Sequence, residues 1–322
     1  GPSRVRRNGK VDTMRALVSV SVCVMLAVSL ATAGAGETLW KIGRNDGDYG
    51  DLAIAGKYAE FAAAFPADVT FQVRESKARE AWPYIQPGPV DDWAGSKPHT
   101  FTVNFAIDNA PDSACRLMLY LCDTQQSAPP ALAIKVNGHD CPPLQLAPGS
   151  GDDSLSNAKA GKPSAESVIF DGKWLVKGDN SLSITTTSGS WLLYDALELE
   201  AGVPKEPQLR RLSAECTPMF RTVEGELRQA VRIEYQNTGL AGTGEIHIAR
   251  DKESEQTIDL GQGLQVYYLM VKPFERAEKL RAVLKSGDAS MDAEFDARPE
   301  KQWKLFVGAS AHTDIGYTDL QE

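Results

Sequence analysis

The sharpest chemical pair in this sequence is His312 and Asp314. They lie two apart, so in an extended segment both side chains can point to the same side. A neutral imidazole and a carboxylate at that spacing suit zinc or another borderline divalent cation. Two ligands are too few for a catalytic zinc, which takes at least three from the protein and keeps one open position. A second group is aromatic: Trp82, Tyr84 and Trp93 share one Pro/Gly-rich loop. Such rings combine a flat apolar face with a polar handle, which makes them candidate platforms for sugar rings. The same three could instead cap the edge of a β-sandwich. Asp91 and Asp92, beside Trp93, could hydrogen-bond sugar hydroxyls, bind calcium, or occupy a solvated turn.

Other groups that could do chemistry read as structural. Glu224 and Glu226 resemble an acid/base pair in type, but they flank Gly225 in a hairpin-turn sequence and read as solvated. Gly43, Gly47 and Gly50 are not followed by the helical pattern of a dinucleotide fingerprint. His99, His139 and His247 have no partner pattern and read as surface or internally satisfied. Trp191 reads as core, and Tyr194 and Asp195 as residues that fix the end of a strand. Of five cysteines, Cys115, Cys122, Cys141 and Cys216 lie beyond the N-terminal apolar run. Cys115 and Cys122 sit at an odd offset in one strand, too far apart to bridge each other. Cys141 could pair with either, or all could be small buried hydrophobes. No Cys/His spacing suggests a structural zinc site.

The elements that must position these groups are strands. The chain has 322 residues, 42% hydrophobic and 24% charged, which suits about two globular domains. A net charge of −9 disfavours nucleic acid and anionic membrane as partners and points to neutral glycans or small molecules. From Met14 the sequence runs through Arg15 and an apolar stretch to Ala33-Gly34-Ala35. That is the layout of a secretory signal peptide cleaved near Ala35, with no stable membrane anchor left afterwards. The expected location is therefore secreted or periplasmic.

Past residue 37, alternation dominates. Phe101, Val103, Phe105 and Ile107 share a face, as do Leu117, Leu119 and Leu121. Ala131 to Val136 ends in the hairpin signal Asn137-Gly138. Lys57 to Phe65 reads as one short helix or turn. Residues 37–201 therefore form a β-sandwich, followed by a proline-bearing linker. A second run at 208–297 has the strand rhythm of an immunoglobulin-like sandwich. Residues 302–322 open with an apolar run, Trp303 to Val307, and lead into the His312/Asp314 pair like the first strand of a barrel enzyme. The expected fold class is all-β: a jelly-roll sandwich, an immunoglobulin-like sandwich and the opening of a truncated α/β catalytic barrel.

Two family resemblances extend this reading. WKLFVGASAHTDIGYTDLQ resembles the opening of the catalytic domain of glycoside hydrolase family 38, the α-mannosidases. The resemblance implies that His312 and Asp314, followed by Gly316 and Tyr317, are two zinc ligands of the full enzyme. Many members carry a further His just before this motif, where the present sequence has Gly308 to Ala311. Residues 39–200 resemble the jelly-roll third domain of rhamnogalacturonan lyases of polysaccharide lyase family 4. The matching stretches are LWKIGRNDG, WPYIQPG and NSLSITTTSGSWLLYDALELE. That resemblance implies a carbohydrate-binding domain without lyase chemistry. Together they imply the non-catalytic front of a zinc-dependent glycosidase. The alternatives are a complete, non-enzymatic carbohydrate-binding protein and an accessory domain of a pectin lyase.

Overall fold

The structure, a computed structural model, describes residues 36–249 and 251–301. The signal-peptide reading and the His312/Asp314 pair lie outside the described residues. Strand is the main regular structure, and the helices are single turns such as Phe61–Ala64 and Ala78–Ala81. Among the described residues no helix is long and apolar enough to cross a membrane.

The first sandwich has two sheets. One is built from β1 (Glu37–Gly43), β3 (Ile85–Gln86), β5 (Ala114–Thr124), β9 (Ser164–Asp171) and β11 (Leu192–Val203). Its order is β1-β11-β5-β9, with β3 also paired to β11. The other is built from β2 (Val69–Gln72), β4 (Thr100–Ile107), β6 (Ala131–Val136), β7 (His139–Asp140), β8 (Leu144–Gln145) and β10 (Gly178–Ser188). Its order is β2-β4-β10-β6-β7, with β8 beside β6. β2 runs parallel to β4 and the other pairs are antiparallel.

Period-two alternation sets which side chains fill the space between the sheets. Phe101, Val103 and Phe105 from β4 and Leu182 and Ile184 from β10 meet Leu117, Leu119 and Leu121 from β5. The β6–β7 hairpin turns at Asn137 and Gly138, whose φ values of 48° and 84° are both positive, as a type I′ turn requires. Cys115 and Cys122 are both fully buried despite their odd offset. The β11–β5 register shifts between Leu193 and Tyr194, so that Asp123 and Leu121 are paired and Cys122 is passed over. This bulge turns the strand and brings the second thiol into the core. All four cysteines named above are free. Burial pushes the Cys115 and Cys141 thiols up to about 12, so they are poor nucleophiles.

The second sandwich contains β12 (Leu209–Val223), β13 (Glu226–Asn237), β14 (Gly242–Ile248), β15 (Asp251–Leu260), β16 (Gly263–Val271), β17 (Glu278–Ser286) and β18 (Ala289–Ala297). The sheets are β12-β13-β16 and β15-β14-β17-β18. This is an immunoglobulin-like arrangement in which the fourth strand pairs with the third, in the sheet of the last two strands. Its core centres on Val231, Ile233, Ile246, Leu269, Ala282 and Leu284. Glu224 and Gly225 form the β12–β13 turn with φ of 51° and 83°, which leaves Glu224 and Glu226 in a solvated hairpin.

Candidate functional site

For two of the three platform candidates, Trp82 and Tyr84, the structure favours the core reading. Trp82 and Tyr84 are both 0% exposed. The Trp82 ring meets Phe101 at 5.3 Å and Tyr194 at 5.6 Å, with Phe71 edge-on at 6.1 Å. No face remains for a sugar. The cause is local backbone pairing. The Trp82 carbonyl accepts from Ala53 N–H at 2.9 Å, and the Tyr84 carbonyl accepts from Tyr194 N–H at 2.7 Å. Those bonds make the segment an inner rung of the sheet instead of a surface loop. Tyr84 acts as an internal post, its hydroxyl donating to the Leu155 carbonyl at 2.6 Å. Tyr49 does the same to Ser154 at 3.0 Å, and the two phenols hold the long 148–163 loop against the sandwich.

Trp93 is half-buried and packs on the core edge. Its ring meets Tyr58 edge-on at 5.3 Å and Phe61 at 6.2 Å. Asp91 is not in a solvated turn: it is 5% exposed. Its carboxylate accepts from Gly88 N–H at 2.8 Å and from the Ser190 hydroxyl at 2.5 Å. Burial raises its pKa above the usual carboxylate range. Asp92 is exposed. Trp174, another aromatic near the surface, has one face stacked on His139 at 5.0 Å and meets Phe170 at 5.9 Å. His99 is buried, with Nε2 at 3.0 Å from the Ala94 carbonyl. Asp195 accepts from the backbone N–H groups of Asp46 and Gly47 at 3.3 and 3.0 Å, which clamps the Gly43–Asp51 loop. Among the described residues no group of three or more His, Cys, Asp or Glu could hold a metal.

A concave surface lies between the two sandwiches. It is a cleft of about 610 Å³, inside the roughly 300–1,000 Å³ range of small-molecule sites, which favour domain interfaces. One wall is the free edge of β9 with Arg116 and Met118 of β5. The other is made of the loops around Asn237 and Gln262. Gln262 joins the two walls. Its Oε1 accepts from Ile169 N–H at 2.8 Å and its Nε2 donates to the Ile169 carbonyl at 2.5 Å. Leu240 of the second sandwich packs on the apolar group Ala114, Ile169 and Val203. The cleft is therefore held by contacts and does not depend on a linker.

Electrostatically, the cleft has one uncompensated charge among the described residues. Arg116 donates from Nε and Nη2 to Glu200 at 3.0 and 2.7 Å, which neutralises it. Glu166 lines the cleft half-buried. Loss of hydration alone raises its carboxyl above the usual range. A second hollow, of about 450 Å³, lies on the outer face of the β2-β4-β10-β6 sheet and is lined by Gln72, Asn104, Asn137 and Ser181.

Residues 38–199, half of the chain, match the CBM-like family of polysaccharide lyase family 4, domain III. The chain belongs to this family. The matched span is the first sandwich of this domain III protein. No curated protein matches it. Among solved structures it is similar to a GH2 β-galacturonidase from Eisenbergiella tayi bound to glycerol. That likeness is at 13% identity, over 71% of this chain and 40% of that one, with a TM-score of 0.24. A β-glucuronidase of an uncultured Clostridium sp. is 12% identical over 82% and 44% of the two chains, TM-score 0.26. A β-D-glucuronidase for Dictyoglomus thermophilum is 11% identical over 63% and 36%, TM-score 0.21. The chain spans less than half the length of these structures, and likeness at this level carries no argument about activity.

Nothing in the sequence pointed to Glu166 or Gln262. They are far apart in the chain, and each reads as an ordinary exposed polar residue until the two sandwiches are packed together.

Proposed function

We propose that this chain is the non-catalytic N-terminal region of a secreted, zinc-dependent α-mannosidase-like glycoside hydrolase, and that its first sandwich binds carbohydrate. The observation that carries the carbohydrate half is membership of the CBM-like domain III family across residues 38–199. The glycosidase half rests on the motif His312-Thr313-Asp314 with Gly316-Tyr317. In this reading His312 and Asp314 would hold a zinc at two of its positions, and the zinc would supply Lewis-acid chemistry for a glycosidase.

Affinity electrophoresis of the full chain through gels cast with neutral polysaccharides tests the first half. Retardation by at least one polysaccharide is expected, and unretarded migration in all of them refutes it. Metal analysis of the intact enzyme tests the second: zinc should be present and lost in His312→Ala. A bracing role is a second reading. It is favoured by the Gln262–Ile169 pairing, which ties the first sandwich to its neighbour at fixed geometry.

A further inference from the structure

We propose that the cleft between the sandwiches binds a neutral oligosaccharide through the Glu166 carboxylate and the unpaired edge of β9. The inference rests on the carbohydrate reading above and assigns it a site. Four observations carry it.

Glu166 comes first. Among the described residues its carboxylate has no hydrogen bond and no ion pair, although it lines the cleft and is partly withdrawn from water. A half-buried carboxylate without donors is costly unless a partner supplies them. Sugar hydroxyls are such donors, and they bring no charge that must itself be desolvated.

The second is the strand edge. Gln262 takes both the N–H and the C=O of Ile169, so those groups point away from β5. In an antiparallel pair that direction recurs every second residue. Ser167 and Ala165 therefore also turn their backbone groups outward, and both residues are exposed. They offer fixed donors and acceptors along one wall. Opposite them, the Gln236 amide is exposed and without a partner among the described residues.

The third is apolar surface. Met118, Pro142, Pro143 and Leu144 line the same cleft, giving the C–H faces of a pyranose something to lie against while its hydroxyls meet the polar wall.

The fourth is charge, which chooses among sugars. With Arg116 bound to Glu200, no free cation among the described residues lines the cleft to recognise a uronate. Glu166 repels one. The ligand class is therefore neutral. An extended peptide is disfavoured because Gln262 already occupies the edge at Ile169. On the cleft side of it only Ala165 and Ser167 turn outward, a three-residue stretch at the short end of the usual strand of about 3–10 residues.

The test is calorimetric titration of the full chain with a panel of neutral hexose oligosaccharides and matched oligogalacturonates. Binding to at least one neutral member and to no oligogalacturonate is expected. Glu166→Gln and Gln236→Ala should each weaken that binding about tenfold, as expected for one hydrogen bond with a charged or well-placed partner. Glu166→Gln is nearly isosteric and removes an unpaired carboxylate, so its melting temperature should equal or exceed the wild type's. This separates lost binding from lost folding. Neutral binding that both variants retain overturns the cleft assignment and leaves the carbohydrate reading standing. Absence of binding to every sugar overturns both. Preference for oligogalacturonates overturns the charge argument. Binding of an extended ten-residue peptide library, in the absence of binding to any sugar, overturns the choice of ligand.

Discussion

Replacing Trp82 distinguishes a core residue from a sugar platform. The ring is fully buried and meets three aromatic partners at 5.3–6.1 Å. Truncation to alanine should cost about 3–5 kcal/mol, the usual range for deleting a buried large aromatic. One feature moderates this: Nε1 of Trp82 is buried without a hydrogen-bond partner among the described residues. Such a donor carries a desolvation penalty of about 1–3 kcal/mol, which Trp82→Phe removes while keeping most of the ring contacts. The phenylalanine variant should therefore lie within about 1 kcal/mol of wild type, because the lost volume and the relieved donor are of similar size. Urea unfolding followed by far-UV circular dichroism reads both variants without relying on the deleted fluorophore. The first sandwich's transition should shift strongly in Trp82→Ala and little in Trp82→Phe. An unchanged transition in Trp82→Ala, with loss of carbohydrate binding, would refute the burial argument and return the ring to the surface.

Further predictions concern other polar groups and the latch. Asp123 is fully buried and accepts from the N–H groups of Ser150 and Lys162 at 2.9 and 3.2 Å and from the Ser150 hydroxyl. Asp123→Ala should cost about 2–4 kcal/mol by leaving those donors unpaired and should release the 148–163 loop to limited proteolysis. Gln262→Ala removes both bonds to Ile169; calorimetry should then show the two sandwiches melting as more widely separated transitions. His99 is held neutral by burial, its pKa lowered from 6.5. Its unfolded form takes up a proton first, so its contribution to stability is intact above about pH 6.5, falls as pH drops below that value and levels off below the folded pKa. The difference in melting temperature between wild type and His99→Gln should accordingly shrink on acidification through that window, and a pH-independent difference would count against this assignment.

Much of the strand pattern was legible because its side chains alternate cleanly. The run Phe101, Val103, Phe105 and the Asn137-Gly138 turn reflect period-two packing and positive φ, both of which are local properties. The burial of the segment around Trp82 is not legible in the sequence, because its Pro/Gly content reads as a loop that fits either a platform or a capped edge. Ala53 and Tyr194, distant in sequence, pair with its backbone and draw it inside. Gln86 illustrates the same limit. Hydrophobicity predicts an exposed amide, yet it is fully buried and donates to the carbonyls of His99 and Ile184 at 2.8 and 2.9 Å while accepting from the Tyr194 hydroxyl at 2.5 Å. The four-residue strand Val69–Gln72 was too short to stand out. The cleft could not be read at all, because it exists only once two independently patterned sandwiches meet.

The outer strand β1 pairs with β11, Glu37 opposite Ala201. The first sandwich thus begins and ends at the same place, as termini of self-contained domains often do. Two consequences follow. The closing sheet cannot form until nearly the whole segment has been synthesised, so this sandwich should fold late and slowly, as all-β topologies with distant pairings do. The adjacent ends also make it a transposable cassette: it could be spliced into a surface loop of an unrelated host with little strain on either partner.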